Sequence, residues 1–214
     1  MGEEVFALFV LRRPVSDSTL EIPLSKVFQF TELMLQFQAV VRKVRIPNRA
    51  AEENDAEHSY QLAMMGWYLN DIGRLGLDTN LLTQYALVHD LVEAYAGDIH
   101  ILDHAGRAGK HEREAVALVR IEAEFGESLE FVRLIRDYEY RQDPESQFVY
   151  ALDKFMPMVM IYLEGGSTWR ELNFSMEELM RNQDSMTAGF PFVQTLVRKL
   201  HVLARGNPGM FRRP

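Results

Sequence analysis

Cysteine is absent from this chain of 214 residues, which excludes disulfide bridges and thiolate metal ligands. Long hydrophobic runs are missing as well, and no stretch approaches the roughly 20 apolar residues that cross a bilayer. Positive charge is in deficit: 23 Lys and Arg face 31 Asp and Glu, a formal net charge of -8. That balance argues against a broad nucleic-acid-binding face, which needs surplus Lys and Arg for the phosphate backbone. A signal-peptide start is lacking, because Glu3 and Glu4 stand where bases are required. Phe6 occupies the position where a myristoylation motif needs Ser or Thr. No internal repeat, low-complexity tract or long linker interrupts the chain. These absences predict a cytoplasmic protein with neither nucleic acid nor membrane as partner.

What is present is an ordinary globular composition, 47% hydrophobic and 25% charged, in a length that suits one well-buried domain. Residues 1–23 read as an N-terminal extension, with Val5 to Leu11 able to form a short strand. From Leu24 the apolar period turns helical, with Val27, Phe30, Met34, Phe37 and Val41 predicting a helix that runs to about Arg42. Asn54 with Glu57 predicts a capped second helix carrying Tyr60, Met64 and Trp67 in one stripe. Asp78 or Thr79 caps a third, with Leu81, Tyr85, Val88 and Val92 on its buried face and Gly97 at its end. Amphipathic segments follow near 110–125 and 127–140, and Asp143-Pro144 opens a helix in which Pro157 predicts a kink or interruption. Gly165-Gly166 reads as a break before weaker helices near 175–183 and 190–204. The predicted class is all-α, a single helical bundle with short additions at each end.

The chemistry-bearing residues are His58 in Glu53-Asn-Asp-Ala-Glu-His58, the adjacent pair His89-Asp90, and Asp153 in Tyr150-Ala-Leu-Asp153. Two imidazoles and two carboxylates on apolar helices are costly to bury unless something binds them, and a divalent metal ion answers that cost. Taken singly, each reads more readily as a hydrogen-bonded structural residue; the joint pattern favours one metal site. Imidazole with carboxylate suits Mn, Fe, Co, Ni or Zn better than Mg or Ca. Glu93 follows His89 by one helical turn, a position for proton transfer beside the metal. Asp98, just past Gly97, reads as a residue at the mouth of the site that orients water or a sugar hydroxyl. His100, His104, His111 and His201 lack such surroundings and read as loop or surface histidines.

Glu53-Asn-Asp-Ala-Glu-His-Ser59, His89-Asp-Leu-Val-Glu93, Ala96-Gly-Asp98 and Leu152-Asp153-Lys154 resemble the motifs of the HD-domain metal-dependent phosphohydrolases. Together with Tyr162-Leu-Glu-Gly-Gly-Ser-Thr-Trp169 they resemble the group containing the YfbR-type 5'-deoxynucleotidases. The similarity covers residues 24–185, leaving 186–214 as a C-terminal helix and tail packed on that domain. It implies an HD-domain bundle with one divalent metal on His58, His89, Asp90 and Asp153, beside which Glu93 and Asp98 are read from their positions as catalytic. It also implies a homodimer that hydrolyses (deoxy)ribonucleoside 5'-monophosphates to nucleoside and phosphate. A basic residue near the end of the first helix grips phosphate in that group; Arg42 is the best match, with Arg45 and Arg49 as rivals. The group's Arg-Trp pair is replaced here by Val41-Arg-Lys-Val-Arg45. Hydrolysis of a nucleoside triphosphate or guanosine polyphosphate is the alternative reading. A non-catalytic metal-stabilised helical protein is another.

Overall fold

The computed structural model describes residues 22–49, 51–97 and 109–212. Helix α1 (Leu24–Ala39) leads into a two-stranded antiparallel hairpin, β1 (Val41–Arg45) and β2 (Glu52–Asn54). Then come α2 (Asp55–Gly73), α3 (Thr79–Val88), the single turn α4 (Glu93–Ala96) and α5 (Lys110–Phe125). The chain continues through α6 (Leu129–Tyr140), α7 (Pro144–Leu163), α8 (Ser167–Glu171), α9 (Met176–Met186) and α10 (Pro191–Arg205). A 3-10 turn at Pro208–Met210 ends the described chain. The all-α expectation holds, with one small hairpin added. The expected strand at Val5 to Leu11 lies outside the described residues.

Helix α1 stops three residues short of Arg42, because Val40 is already extended and Val41 pairs with Asn54. β-branched Val40, Val41 and Val44 favour the pleated backbone over a further helical turn. The pairing shifts register between Val41 and Arg45, and Val44 turns into the core. The apolar period of α1 also misleads: Leu33 and Phe37 are buried, whereas Val27 and Met34 are exposed, and Phe30 is only partly covered by the Phe125 and Phe131 rings.

Helix α2 starts where the capping box requires. Asn54 Oδ1 accepts from Glu57 N–H at 2.9 Å, and Glu57 accepts from Asn54 N–H at 3.2 Å. Its inner face carries His58, Leu62, Gly66 and Leu69, while Tyr60, Met64 and Trp67 are exposed. Asp78 is the cap of α3, accepting from the N–H groups of Asn80 and Leu81. Helix α7 forms the centre of the bundle and packs on α2, α3, α9, α10 and β1. Pro157 leaves α7 uninterrupted from Pro144 to Leu163. Gly66 sets how closely α2 approaches its neighbours, since a Cβ there would stand 3.2 Å from Leu82 on α3 and 3.7 Å from Leu152 on α7. That close approach brings the N-terminal turn of α2, the end of α3 and the middle of α7 together.

Candidate metal centre

Helix α3 ends at Val88, before the His89-Asp90 pair rather than beyond it. The chain tightens there into three-residue hydrogen bonds, Leu91 N–H to Val88 O at 3.1 Å and Glu93 N–H to Asp90 O at 2.8 Å. Helix α4 resumes at Glu93, and Gly97 closes it with a φ of 75° that glycine adopts without strain. The pair therefore sits on a tight turn between two helices, which differs from the continuous third helix that the periodicity predicts.

His58, His89, Asp90 and Asp153 each bring one ligand atom into a group lying within 4.8 Å of one another. His58 Nε2 is 3.0 Å from Asp153 Oδ1, and His89 Nε2 is 2.9 Å from Asp90 Oδ2 and 3.8 Å from Asp153 Oδ1. His89 Nδ1 lies 2.9 Å from the Ala86 carbonyl, which can only accept, so Nδ1 carries the proton. In the neutral ring the Nε2 lone pair then points among carboxylates, and no hydrogen bond satisfies it. Two acceptors at this separation repel unless a cation stands between them. The donor set, with its orphaned imidazole nitrogen, fits a divalent metal.

The same need shows in the proton balance. Burial and the Arg42 guanidinium both disfavour a charged His58, yet Asp153 and Glu53 raise it to about 9. Glu53 Oε2 is 3.4 Å from His58 Nδ1, the arrangement in which a carboxylate orients a ligating imidazole. Without a metal, burial opposes charge on Asp90, and it is a charged His89 ring, standing where the metal would, together with Arg42 that holds the Asp90 carboxyl far below the usual carboxylate range. Asp153 is held low in the same way, burial being outweighed by Lys154, His58 and His89.

Arg42 on β1 reaches into this cluster. Its guanidinium lies 2.8 Å from Asp90, 3.3 Å from Asp55, 3.6 Å from Glu53 and 3.7 Å from Asp153. Glu93 is buried, and Lys110 on α5 donates to its Oε1 at 3.0 Å. Burial opposes the charge on Lys110, but Glu93 and Glu114 raise its pKa. A cavity of about 340 Å³ opens over the cluster and is lined by His89, Asp90, Glu93, Asp153, Arg42 and further groups.

Arg45 is not part of the site: it pairs with Glu171 at 2.7 Å on the outer side of the hairpin and does not line the cavity. Arg49 is exposed and lies 3.6 Å from Glu57. Asp98, His100 and His104 lie outside the described residues. His111 is exposed as expected, but His201 is buried on α10, contrary to its reading as a surface residue. The apolar face of α10 turns it inward, between Val197 and Ala204 in the core. Sequence reading missed Glu53, Asp55, Lys110 and Lys154 as members of the site. Glu53 and Asp55 flank the predicted Asn54 cap, which puts both at the start of the His58 helix; Glu53 meets His58 and Asp55 meets Arg42. Lys154 adjoins a predicted ligand, whereas Lys110 carries no local signal.

Residues 35–194 match the protein-family model described as HD domain. The 5'-deoxynucleotidase HDDC2 of Danio rerio is 32% identical over 60% of this chain and 68% of its own length. The protein of the same name from Homo sapiens is 33% identical over 60% of this chain and 63% of its own length. A predicted metal-dependent phosphohydrolase from Magnetospirillum magnetotacticum MS-1 superposes with a TM-score of 0.76 at 25% identity, covering 89% of this chain and 98% of that one. An HD-domain phosphohydrolase from Listeria innocua shares the fold at 15% identity and a TM-score of 0.57, covering 81% of this chain and 89% of that one. The His89-Asp90 turn, the distant partners folded onto it and the match over three quarters of the length agree: the chain belongs to the HD-domain phosphohydrolase family.

Proposed function

We propose that the protein is a metal-dependent phosphomonoesterase that releases phosphate from deoxyribonucleoside 5'-monophosphates, acting as a homodimer in the cytoplasm. The observation that carries the reading is the orphaned Nε2 of His89, held by Ala86 toward three acidic or imidazole partners. His58, His89, Asp90 and Asp153 would hold one divalent ion, of the Mn, Fe, Co, Ni or Zn type. Bound there, such an ion supplies Lewis acidity toward a phosphoryl oxygen and makes water a better nucleophile at neutral pH.

The chain's own residues do the rest. Ala86 and Glu53 fix the two imidazoles through their outer nitrogens, so that the inner ones face the ion. Glu93, beside Asp90 and braced by Lys110, takes a proton from water or gives one to the leaving alkoxide. Arg42 offsets the charge of four carboxylates, so an anionic substrate meets a less repulsive wall. Asp55, Asp90 and Glu93 form a second acidic group, but Arg42 already pairs with Asp55 and Asp90, and Lys110 with Glu93. That favours one metal over two. Asp98 is assigned to the sugar by its place after Gly97.

The nucleotide preference comes from the HDDC2 relatives, of whose length the chain spans about two thirds. The cavity volume is in the range that takes a small ligand. The homodimer is supported by Tyr60, Met64, Trp67, Tyr68 and Ile72, which line the outer face of α2 and are all exposed. Phosphate release by stripped and metal-reloaded protein, across ribo- and deoxyribonucleoside mono- and triphosphates, tests the substrate. Release confined to deoxyribonucleoside monophosphates is expected. Preference for triphosphates would overturn the monoesterase assignment while leaving the site intact.

A further inference from the structure

We propose that Lys154, rather than Arg42, grips the phosphoryl group of the substrate; the inference rests on the phosphohydrolase reading above. Among the described residues, five side chains of permanent positive charge line the cavity: Arg42, Lys43, Lys110, Arg141 and Lys154. Arg42 is shared among four carboxylates and is 13% exposed. Leaving those partners for a phosphate would strand buried charge, a costly exchange. Lys110 is held between Glu93 at 3.0 Å and Glu114 at 3.3 Å. Lys43 lies 3.9 Å from Glu52 and is 62% exposed. Arg141 lies over the Tyr150 ring, 4.5 Å from its centroid.

Lys154 differs from all four. Its Nζ is 2.7 Å from Asp153 Oδ2, while Asp153 Oδ1 faces His58 and His89. One carboxylate therefore separates the ammonium from the metal cluster. The side chain is about one third exposed and lines the cavity, where its ammonium stands 5.2 Å from the Tyr150 centroid. An ammonium has three donors, and Asp153 uses one. With a cation held there, Asp153 would share its charge with it and would hold Lys154 less tightly. The other two donors then serve an anion that enters beside the cluster. Among the described residues that line the cavity, Lys154 combines direct contact with a candidate ligand, two unspent donors and a side chain one third exposed.

The test uses the full-length, metal-loaded protein with inorganic phosphate as the probe. Lys154→Met is expected to keep the wild-type metal content and to weaken phosphate binding about tenfold or more, as loss of a charge-assisted hydrogen bond does. The KM for the nucleotide should rise in parallel, and Lys154→Arg should recover most of the affinity. Lys154→Gln keeps a polar head at this part-exposed position and gives the same reading if the methionine variant does not fold. Loss of metal together with phosphate binding would show that Lys154 acts only by positioning Asp153, and would overturn the proposal. Unchanged phosphate affinity would overturn it as well. A wild-type protein that binds phosphate through Lys154 but hydrolyses no monophosphate overturns the substrate reading and upholds this one.

Discussion

At the scale of the residue, the site is a problem of unpaired charge solved by neighbours. Asp90 has His89 and Arg42 against it, Asp153 has His58 and Lys154, and Glu93 has Lys110. Removing a ligand should differ from removing a proton carrier. Asp90→Ala is expected to lose bound metal and phosphate release together, read by elemental analysis and activity on one sample. Glu93→Gln should keep the metal and lose rate by about 100-fold or more. A Glu93→Gln protein with full activity would end its assignment to proton transfer. His201 offers a residue-scale test away from the site. Burial lowers its pKa below the ordinary 6.5, outweighing Asp184. The unfolded chain thus takes up this proton first as pH falls. The stabilising contribution of a neutral His201 is complete above about pH 6.5 and declines below it until the folded-state pKa is reached. His201→Phe should therefore reduce the drop in melting temperature between about pH 7 and pH 5. An acid sensitivity equal to wild type would contradict this.

At the scale of the element, the candidate ligands come from two helices and a tight turn (α2, α7 and the α3–α4 junction), and one glycine fixes how the helices meet. Gly66→Val should destabilise the fold by about 1–3 kcal/mol, because the added methyls have Leu82 and Leu152 in their way. Denaturant unfolding reads that cost; a variant as stable as wild type would show that α2 can withdraw from α3 and α7 freely. The elements also show what sequence can and cannot convey. Asn54 with Glu57, and Asp143 before Pro144, are local devices, and both caps form where their residues predict. That His58, His89, Asp90 and Asp153 belong together was legible because their spacing and flanking residues form a joint pattern, and the structure gathers them within 4.8 Å. The stop of α1 before Val41 was not, since strand pairing with Asn54 depends on a partner outside the local window. The break at His89 was hidden by an apolar period that runs unchanged from Leu81 to Val92. Arg45 was a plausible phosphate ligand until its pairing with Glu171, far along the chain, placed it outside.

At the scale of the whole molecule, two apolar sets compete for the reader of the sequence. One, with Leu62, Leu82, Phe148 and Leu152, forms the core; the other, with Tyr60, Met64, Trp67 and Tyr68, lies on the surface of α2. Periodicity alone does not separate them, because both recur at helical steps. If the outer set is a contact between two copies, Trp67→Glu should convert a dimer to a monomer in sedimentation, with the metal retained. A wild-type monomer at all concentrations would remove the dimer. The metal should also stabilise the whole fold, since ligands from α2, the α3–α4 turn and α7 meet only in the folded chain. A chelator is therefore expected to lower the melting temperature, and re-addition of metal to restore it. The most direct measurement is a titration of metal-stripped protein with Mn, reading phosphate release from a deoxyribonucleoside 5'-monophosphate against metal bound. Activity should be absent without metal and rise in proportion to occupancy, reaching its plateau at one ion per chain. Activity in the stripped protein, or a plateau reached only at two ions per chain, would contradict the account.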